Sequence, residues 1–307
     1  MTVLVKNIIF LTLLVSAACK PIDTRENQKY LVVTTTNILA DAVKVLVRDS
    51  AEVQSLMAVG VDPHLYKTSQ RDLDKLFEAD LVIYQGLFLE GKMNEVLRKF
   101  ARTNPVLAVE EFLSPSLLLK DEAFETSVDP HIWFDTRIWK EVLRGLAKQL
   151  AEENPQWEEY LAKNLLEYEQ ELDSLDEELR KMIAGLPPEN RILVTAHDAF
   201  AYFGRAYGLE VKGLQGLSTL SEPGLNDVSK LVQFITEKRI PAIFSEQSIS
   251  PRGVRALVEG CRRYGHEVIL AGPLYTDSLG EPDGPAGNYL DMLKYNMETI
   301  VENLRQP

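Results

Sequence analysis

Four histidines occur in the 307 residues, at positions 64, 131, 197 and 266. An imidazole nitrogen serves as a metal ligand or as an acid–base group near neutral pH. Where so few histidines fall is therefore informative. His64 and His131 each close the same tripeptide, Asp62-Pro63-His64 and Asp129-Pro130-His131. A lone histidine is ordinarily a packed or surface residue. One tripeptide that recurs and uses half of the histidines is instead the pattern of a ligand pair. Its proline restricts the residue before it and stiffens the turn. His197 ends the apolar run that starts at Arg191, Glu246 ends the run that starts at Ala242, and Asp277 follows the run from Glu267. His266 stands at the opposite end of that last run and reads as structural or solvent-exposed.

Imidazoles with one carboxylate suit a tetrahedral Zn²⁺. Mn²⁺ prefers more oxygen, yet imidazole does not exclude it. The expectation is one divalent ion per chain. His64, His131 and His197 are its nitrogen donors, and Glu246 and Asp277 are both carboxylate candidates. A closed site suits binding; one with an open position for water suits hydrolysis. The hydrolytic alternative has only Glu246 as a general base, and the sequence holds no His-Glu-x-x-His. Cys19 and Cys261 are the only cysteines, too few for a disulfide framework or a thiolate zinc site. Cys261 reads as a packed thiol.

These residues need elements to carry them. Short β-rich runs at 30–35, 53–59, 81–84 and 106–109 alternate with amphipathic stretches at 37–48, 69–78, 92–101 and 137–152. The pattern resumes with strands at 191–195, 210–212, 242–244 and 267–270, and helices at 198–207, 225–238, 251–264 and 287–304. Strands separated by helices imply βαβ units and parallel sheets. Ligands of such sheets bind beyond the carboxyl ends of the strands, which is where His197, Glu246 and Asp277 fall. The expected fold is α/β, with two lobes, each a parallel sheet flanked by helices. Between them, Trp157, Leu161, Leu165, Tyr168, Leu172, Leu175, Leu179 and Met182 draw one apolar stripe along 154–184. Asn154 is the expected N-cap, and Gly185 with Pro187-Pro188 the stop. A rod of thirty-odd residues, roughly 45 Å long, is read as a backbone helix that joins the lobes and limits hinge motion. A coiled-coil seam is the alternative. The expected division is 1–18, 19–29, 30–153, 154–184 and 185–307.

The first nineteen residues read as an address. Lys6 precedes an apolar run, and Ser16-Ala17-Ala18 precedes Cys19, the layout of a signal peptide. The run is shorter than the 20 or so residues of a spanning helix. A cysteine after small residues is similar to a lipobox, although Ser16 stands where leucine is usual. Cys19 is thus the expected lipidation site, residues 20–29 a tether, and the location extracytoplasmic and lipid-anchored; an ordinary cleaved signal peptide is the alternative. The charge, 33 Lys+Arg against 46 Asp+Glu for a net −13, argues against nucleic-acid binding.

From about Tyr30 to Leu304 the chain resembles the zinc/manganese solute-binding proteins of ABC transporters, the TroA-like receptors of cluster A-I. The segments that carry the resemblance, in order, are VDPHLYKTSQRDL, ADLVIYQGLFLEG, DPHIWFD, LVTAHDAFAYFGRAYGL, LQGLSTLSEPG, PAIFSEQSIS and LYTDSLG. The resemblance implies two α/β lobes on one rigid helix, a metal in the cleft, and an ABC permease as partner. It implies a monomeric binding protein rather than an enzyme, with ligands His64, His131, His197 and Asp277. Glu246 becomes a partner behind the ligands or an alternative ligand. A histidine at 197, where manganese-type members usually carry glutamate, favours zinc. No histidine lies between Leu65 and Pro130, so the His-rich loop of many zinc-dedicated members is missing. A surface adhesin remains the competing class, since relatives sometimes carry that label.

Overall fold

The computed structural model describes residues 29–120 and 127–305. The expected leader, Cys19 and the expected tether up to residue 28 lie outside them. The first half opens with β1 (Tyr30–Thr34), α1 (Asn37–Val47), β2 (Ala51–Ser55), α2 (Gln70–Glu78) and β3 (Leu81–Tyr84). It continues with α3 (Asn94–Phe100), β4 (Val106–Ala108) and α4 (Thr136–Glu153). Side chains that satisfy the free N–H groups of the first turn start three of these helices. Thr36 does so for α1, Asp135 for α4, and Ser69 with Asp72 forms a reciprocal capping box on α2. The strands form one parallel sheet in the order β2-β1-β3-β4. Central β3 is buried along its whole length, as expected of a parallel strand covered on both faces.

A 3₁₀ turn at Pro155–Trp157 leads into α5 (Glu158–Ala184). The second half follows as β5 (Ile192–His197), α6 (Ala201–Tyr207), β6 (Glu210–Gln215) and α7 (Leu225–Lys238). It closes with β7 (Ala242–Glu246), α8 (Arg252–Arg263), β8 (Ile269–Leu274) and α9 (Tyr289–Leu304). Its strands pair in parallel as β5-β6 and β7-β8, with β5 lying beside β7.

Most of the stripe on the long helix is buried: Leu161, Tyr168, Leu172, Leu175 and Leu179 lie in the core, Leu165 and Met182 are half-buried beside it, and Ile183 rather than Met182 takes the last buried position. They pack against α1 and α4 from the first half and against α6 and α9 from the second. The stripe is therefore consumed within its own chain, and the coiled-coil alternative falls. One large apolar cluster runs through both halves. Trp139 stacks on Tyr289 with ring centroids 5.2 Å apart.

Some boundaries differ from the expected ones. Asn154 does not cap the long helix; its side-chain amide turns back to the Leu150 carbonyl at 3.4 Å, at the end of α4. Strand β2 starts at Ala51 and stops at Ser55, before the apolar run 56–59, because its neighbour β1 ends at Thr34. Helix α6 starts three residues late, since the Asp198 N–H is still bonded to the Gln215 carbonyl at 3.1 Å. Among the described residues no helix is long and apolar enough to cross a membrane.

Candidate metal centre

The four expected donors meet in the cleft. His64 lies in the loop after β2, and His131 directly precedes a 3₁₀ turn at Ile132–Phe134. His197 is the last residue of β5, and Asp277 follows β8. His64 Nε2 and His197 Nε2 each lie 3.3 Å from His131 Nε2. Asp277 Oδ1 is 3.5 Å from His131 Nε2, and Asp277 Oδ2 is 3.5 Å from His197 Nε2. One donor atom from each of the four residues lies within 4.8 Å of all the others. Donors around a tetrahedral ion at 2.0–2.1 Å stand about 3.3–3.4 Å apart. The cluster thus has the spacing of a coordination shell.

Each histidine is placed by hydrogen bonds, built locally for His64 and His131 and by a distant glutamate for His197. Asp62 Oδ1 accepts the His64 backbone N–H at 2.8 Å, and Asp129 Oδ1 accepts that of His131 at 2.9 Å. Both are Asx turns. Asp129 Oδ1 also lies 2.7 Å from His131 Nδ1. A proton on Nδ1 leaves the Nε2 lone pair facing the cluster. Glu246 does the same for His197: Oε1 accepts the backbone N–H at 2.9 Å, and Oε2 lies 2.6 Å from Nδ1. The pairing of β7 with β8 slips here. Two steps from Phe244 to Glu246 match three from Ala271 to Leu274. Such slips re-aim side chains beside functional sites.

Electrostatics follow from burial. His64, His131, His197 and Asp277 are all at most 1% exposed. Burial pushes the His64 pKa down to about 3; Asp277 pulls it up, and the other two imidazoles push it further down. His197 goes the other way. Burial opposes its charge too, but the Glu246 and Asp277 carboxylates outweigh that and hold it well above the usual histidine value. Asp277 is held well below the usual carboxylate value: burial works against this, and His197, His131 and His64 overcome it. Asp277 Oδ1 is buried without a hydrogen-bond partner. An orphaned carboxylate oxygen facing imidazole nitrogens fits a cation, because an unpaired buried acceptor is otherwise costly.

Glu246 is not among the four clustered residues; it stands behind His197. His266 lies elsewhere, with Nε2 2.7 Å from the Ile240 carbonyl. Cys261 is buried, and its Sγ lies 4.0 Å from the Val232 carbonyl. Sequence reasoning missed Asp129 as the partner of the His131 ring. The signal lies in the tripeptide itself, an aspartate two residues before the histidine and within reach of its ring. Missed as well was the bond from the Thr219 hydroxyl to Asp62 Oδ2 at 2.6 Å, which spans the cleft.

Other bonds join the ligand-bearing segments of the two halves. The Trp133 indole N–H donates to the Thr276 carbonyl at 3.0 Å, and the Tyr289 hydroxyl to the Trp133 carbonyl at 2.6 Å. The Leu279 N–H donates to Asn37 Oδ1 at 2.9 Å. His131 and Asp277 are thereby fixed relative to one another from both sides of the cleft.

A buried three-histidine, one-aspartate cluster between two α/β halves on a long helix defines a class, the metal-binding receptors. Comparison with known proteins agrees. Residues 32–303 match the family model described as zinc-uptake complex component A, periplasmic. The manganese-binding lipoprotein MntA of Bacillus subtilis is 44% identical over 279 residues, 91% of each chain. The zinc-binding protein TroA of Treponema pallidum is 42% identical over 282 residues, 92% of this chain and 91% of that one. The solved structure of periplasmic TroA superposes with a TM-score of 0.88, covering 91% of this chain and all of the other. The chain belongs to this family, the metal-binding substrate-binding proteins of ABC transporters in cluster A-I.

Proposed function

We propose that the protein captures one Zn²⁺ outside the cytoplasm, through His64, His131 and His197 Nε2 and the Asp277 carboxylate, and delivers it to an ABC permease. The single observation behind this reading is the cluster, four buried donor residues at the mutual spacing of a tetrahedral shell. Histidine at 197 supplies a third nitrogen, which suits zinc. Manganese is the second reading, and one observation favours it. Asp277 turns Oδ1 toward His131 and Oδ2 toward His197. A carboxylate binding through both oxygens raises the donor count and the oxygen share, as Mn²⁺ prefers. The two relatives described above divide the same way by name, one for manganese and one for zinc.

The chain is read as a binding protein without turnover, because Glu246, the one candidate base, spends both oxygens on His197. We assign Cys19 as the lipidated N-terminus, residues 30–153 and 185–307 as the two lobes, and 154–184 as the helix between them. In this reading the receptor is monomeric. The helix keeps lobe rotation small on metal binding, and scattering that shows a large compaction would refute that. An adhesive role is separable, since adhesion would be indifferent to His64→Ala.

The test is competitive loading. The chain from Lys20 onward is stripped of metal, dialysed against buffered Zn²⁺ and Mn²⁺ together, and weighed by native mass spectrometry. One zinc per chain that manganese does not displace is the expected result. Equal occupancy would refute zinc selectivity and mean that availability and the permease decide the cargo. No bound metal would refute both.

A further inference from the structure

The turn between β3 and α3 is built around a buried acid that the metal cluster does not use. Glu90 is fully buried. Its Oε1 accepts the Gln85 N–H at 2.6 Å and the Thr35 hydroxyl at 2.8 Å, and its Oε2 accepts the Gly86 N–H at 3.2 Å. Thr35 follows β1 and Gln85 follows β3, so one carboxylate ties together the carboxyl ends of the two central strands of the first sheet. Burial pushes the Glu90 pKa up to about 7, against the pull of these donors. A buried acid held this way is costly to keep, which points to a use.

The turn touches both tripeptides. The Gln85 side-chain amide donates to the Pro130 carbonyl at 3.3 Å, one residue before His131. At the other end, Gly91 lies against the His64 backbone with φ +44°, and a Cβ there would come within 2.2 Å of the His64 carbonyl oxygen. Only glycine permits that approach. Between these contacts the chain passes through three consecutive left-handed residues, Gly86, Leu87 and Phe88, with φ of 78°, 52° and 63°. Neither Leu nor Phe favours that region. The Leu87 N–H is fixed by Glu110 Oε2 at 2.6 Å. Phe88 is 75% exposed and gains little burial for its conformation.

We propose that Glu90 is a positioning residue for both histidines of the first half: it locks the turn 85–91, which sets His131 through Gln85 and Pro130 and His64 through Gly91. This rests on the metal-binding reading given above. Gln85 and Glu90 touch no metal. They act by holding the two histidine backbones at the separation that brings their Nε2 atoms together.

The test uses Co²⁺ as the probe, because its visible absorption reports ligand geometry. The parent protein, Gln85→Met, Glu90→Gln, Gly91→Ala, Thr35→Val and Thr35→Ser are each titrated with Co²⁺ and with Zn²⁺. The melting midpoint of each metal-free protein is recorded alongside. Gln85→Met and Thr35→Val are expected to weaken binding about tenfold, within the range for residues that orient ligands. They should also change the Co²⁺ spectrum at saturation. Thr35→Ser keeps the hydroxyl and is expected to restore both. Gly91→Ala should cost at least as much as Gln85→Met. If Glu90→Gln fails to fold, the Gln85 and Thr35 variants decide the matter. Lower melting midpoints with parental affinity and spectrum would overturn the proposal and leave the turn a purely structural feature. Failure of the parent itself to bind Co²⁺ or Zn²⁺ would refute the metal-binding reading, a result distinct from this one.

Discussion

The two Asp-Pro-His tripeptides are identical in sequence and differ in use. In both, the aspartate accepts the backbone N–H of its own histidine. Asp129 is buried and turns the same oxygen onto the His131 ring nitrogen. Asp62 is only partly buried, and its second oxygen reaches across the cleft to Thr219. Burial raises the Asp62 pKa, and the Thr219 hydroxyl pulls against that. The tripeptide at 129–131 therefore fixes a ring, and the one at 62–64 fixes a loop. His131 is also central, with the Nε2 atoms of both other histidines 3.3 Å away. The comparison teaches that a short motif specifies a turn, while what its carboxylate does is decided by the distant residue it meets.

The largest expected effect tests that centrality. His131→Ala should lower Zn²⁺ affinity by roughly 100–1,000-fold, about a quarter of the 10–16 kcal/mol that four-ligand zinc sites supply. Competition titration against a chelator measures it. Next comes Asp129→Asn, expected to cost about 10–100-fold, because the ring loses its orienting carboxylate. Asp62→Asn and Thr219→Val should cost less than about tenfold in affinity by the same scale, yet speed metal loss to excess chelator, because the loop at Thr219 is released. Equal affinity losses in Asp129→Asn and Asp62→Asn would break the comparison.

Protons sharpen it further. His64 is already neutral at working pH, with a pKa near 3, so it competes with no proton. His197, held well above the ordinary value by Glu246 and Asp277 after burial has opposed its charge, carries one. A raised pKa means the proton is bound below that value and must leave as metal enters. Affinity should therefore fall as pH drops through the neutral range, by about tenfold per unit for one proton displaced. Calorimetry in buffers of different ionisation enthalpy counts the proton. A pH-independent affinity between 5 and 8 would sink the assignment.

What the sequence showed and what it hid divide along one physical line. Period and strand-end position are local, so the long stripe, the alternation of β and α, and the histidine at the end of β5 were legible. Pairing partners are not local. Glu246 meets His197 from 49 residues away, and Thr219 meets Asp62 across 157. No spacing rule in one chain reaches that far. Asp129 is the exception, two residues from the ring it holds. Element ends followed tertiary pairing rather than propensity, as at β2 and α6. The resemblance gave the ligand set; it did not say which of the four is central.

The smallest expected effect is a control on the whole comparison. His266 is a histidine with a hydrogen bond, 2.7 Å from its Nε2 to the Ile240 carbonyl, and it sits before β8, at the end away from the site. Its bond joins the end of α8 to the strand start near Ile240, within the smaller apolar cluster that holds Ile240 and Cys261. His266→Ala should leave Zn²⁺ affinity within twofold, and it should lower stability by about 1 kcal/mol, the net value of one such bond. Chelator competition and chemical denaturation of the metal-free protein read the two quantities separately. If affinity fell with stability here, the losses at His131 and Asp129 would no longer report ligation. They would report a fold whose loosening is felt everywhere, and the contrast between the tripeptides would have to be sought in stability instead.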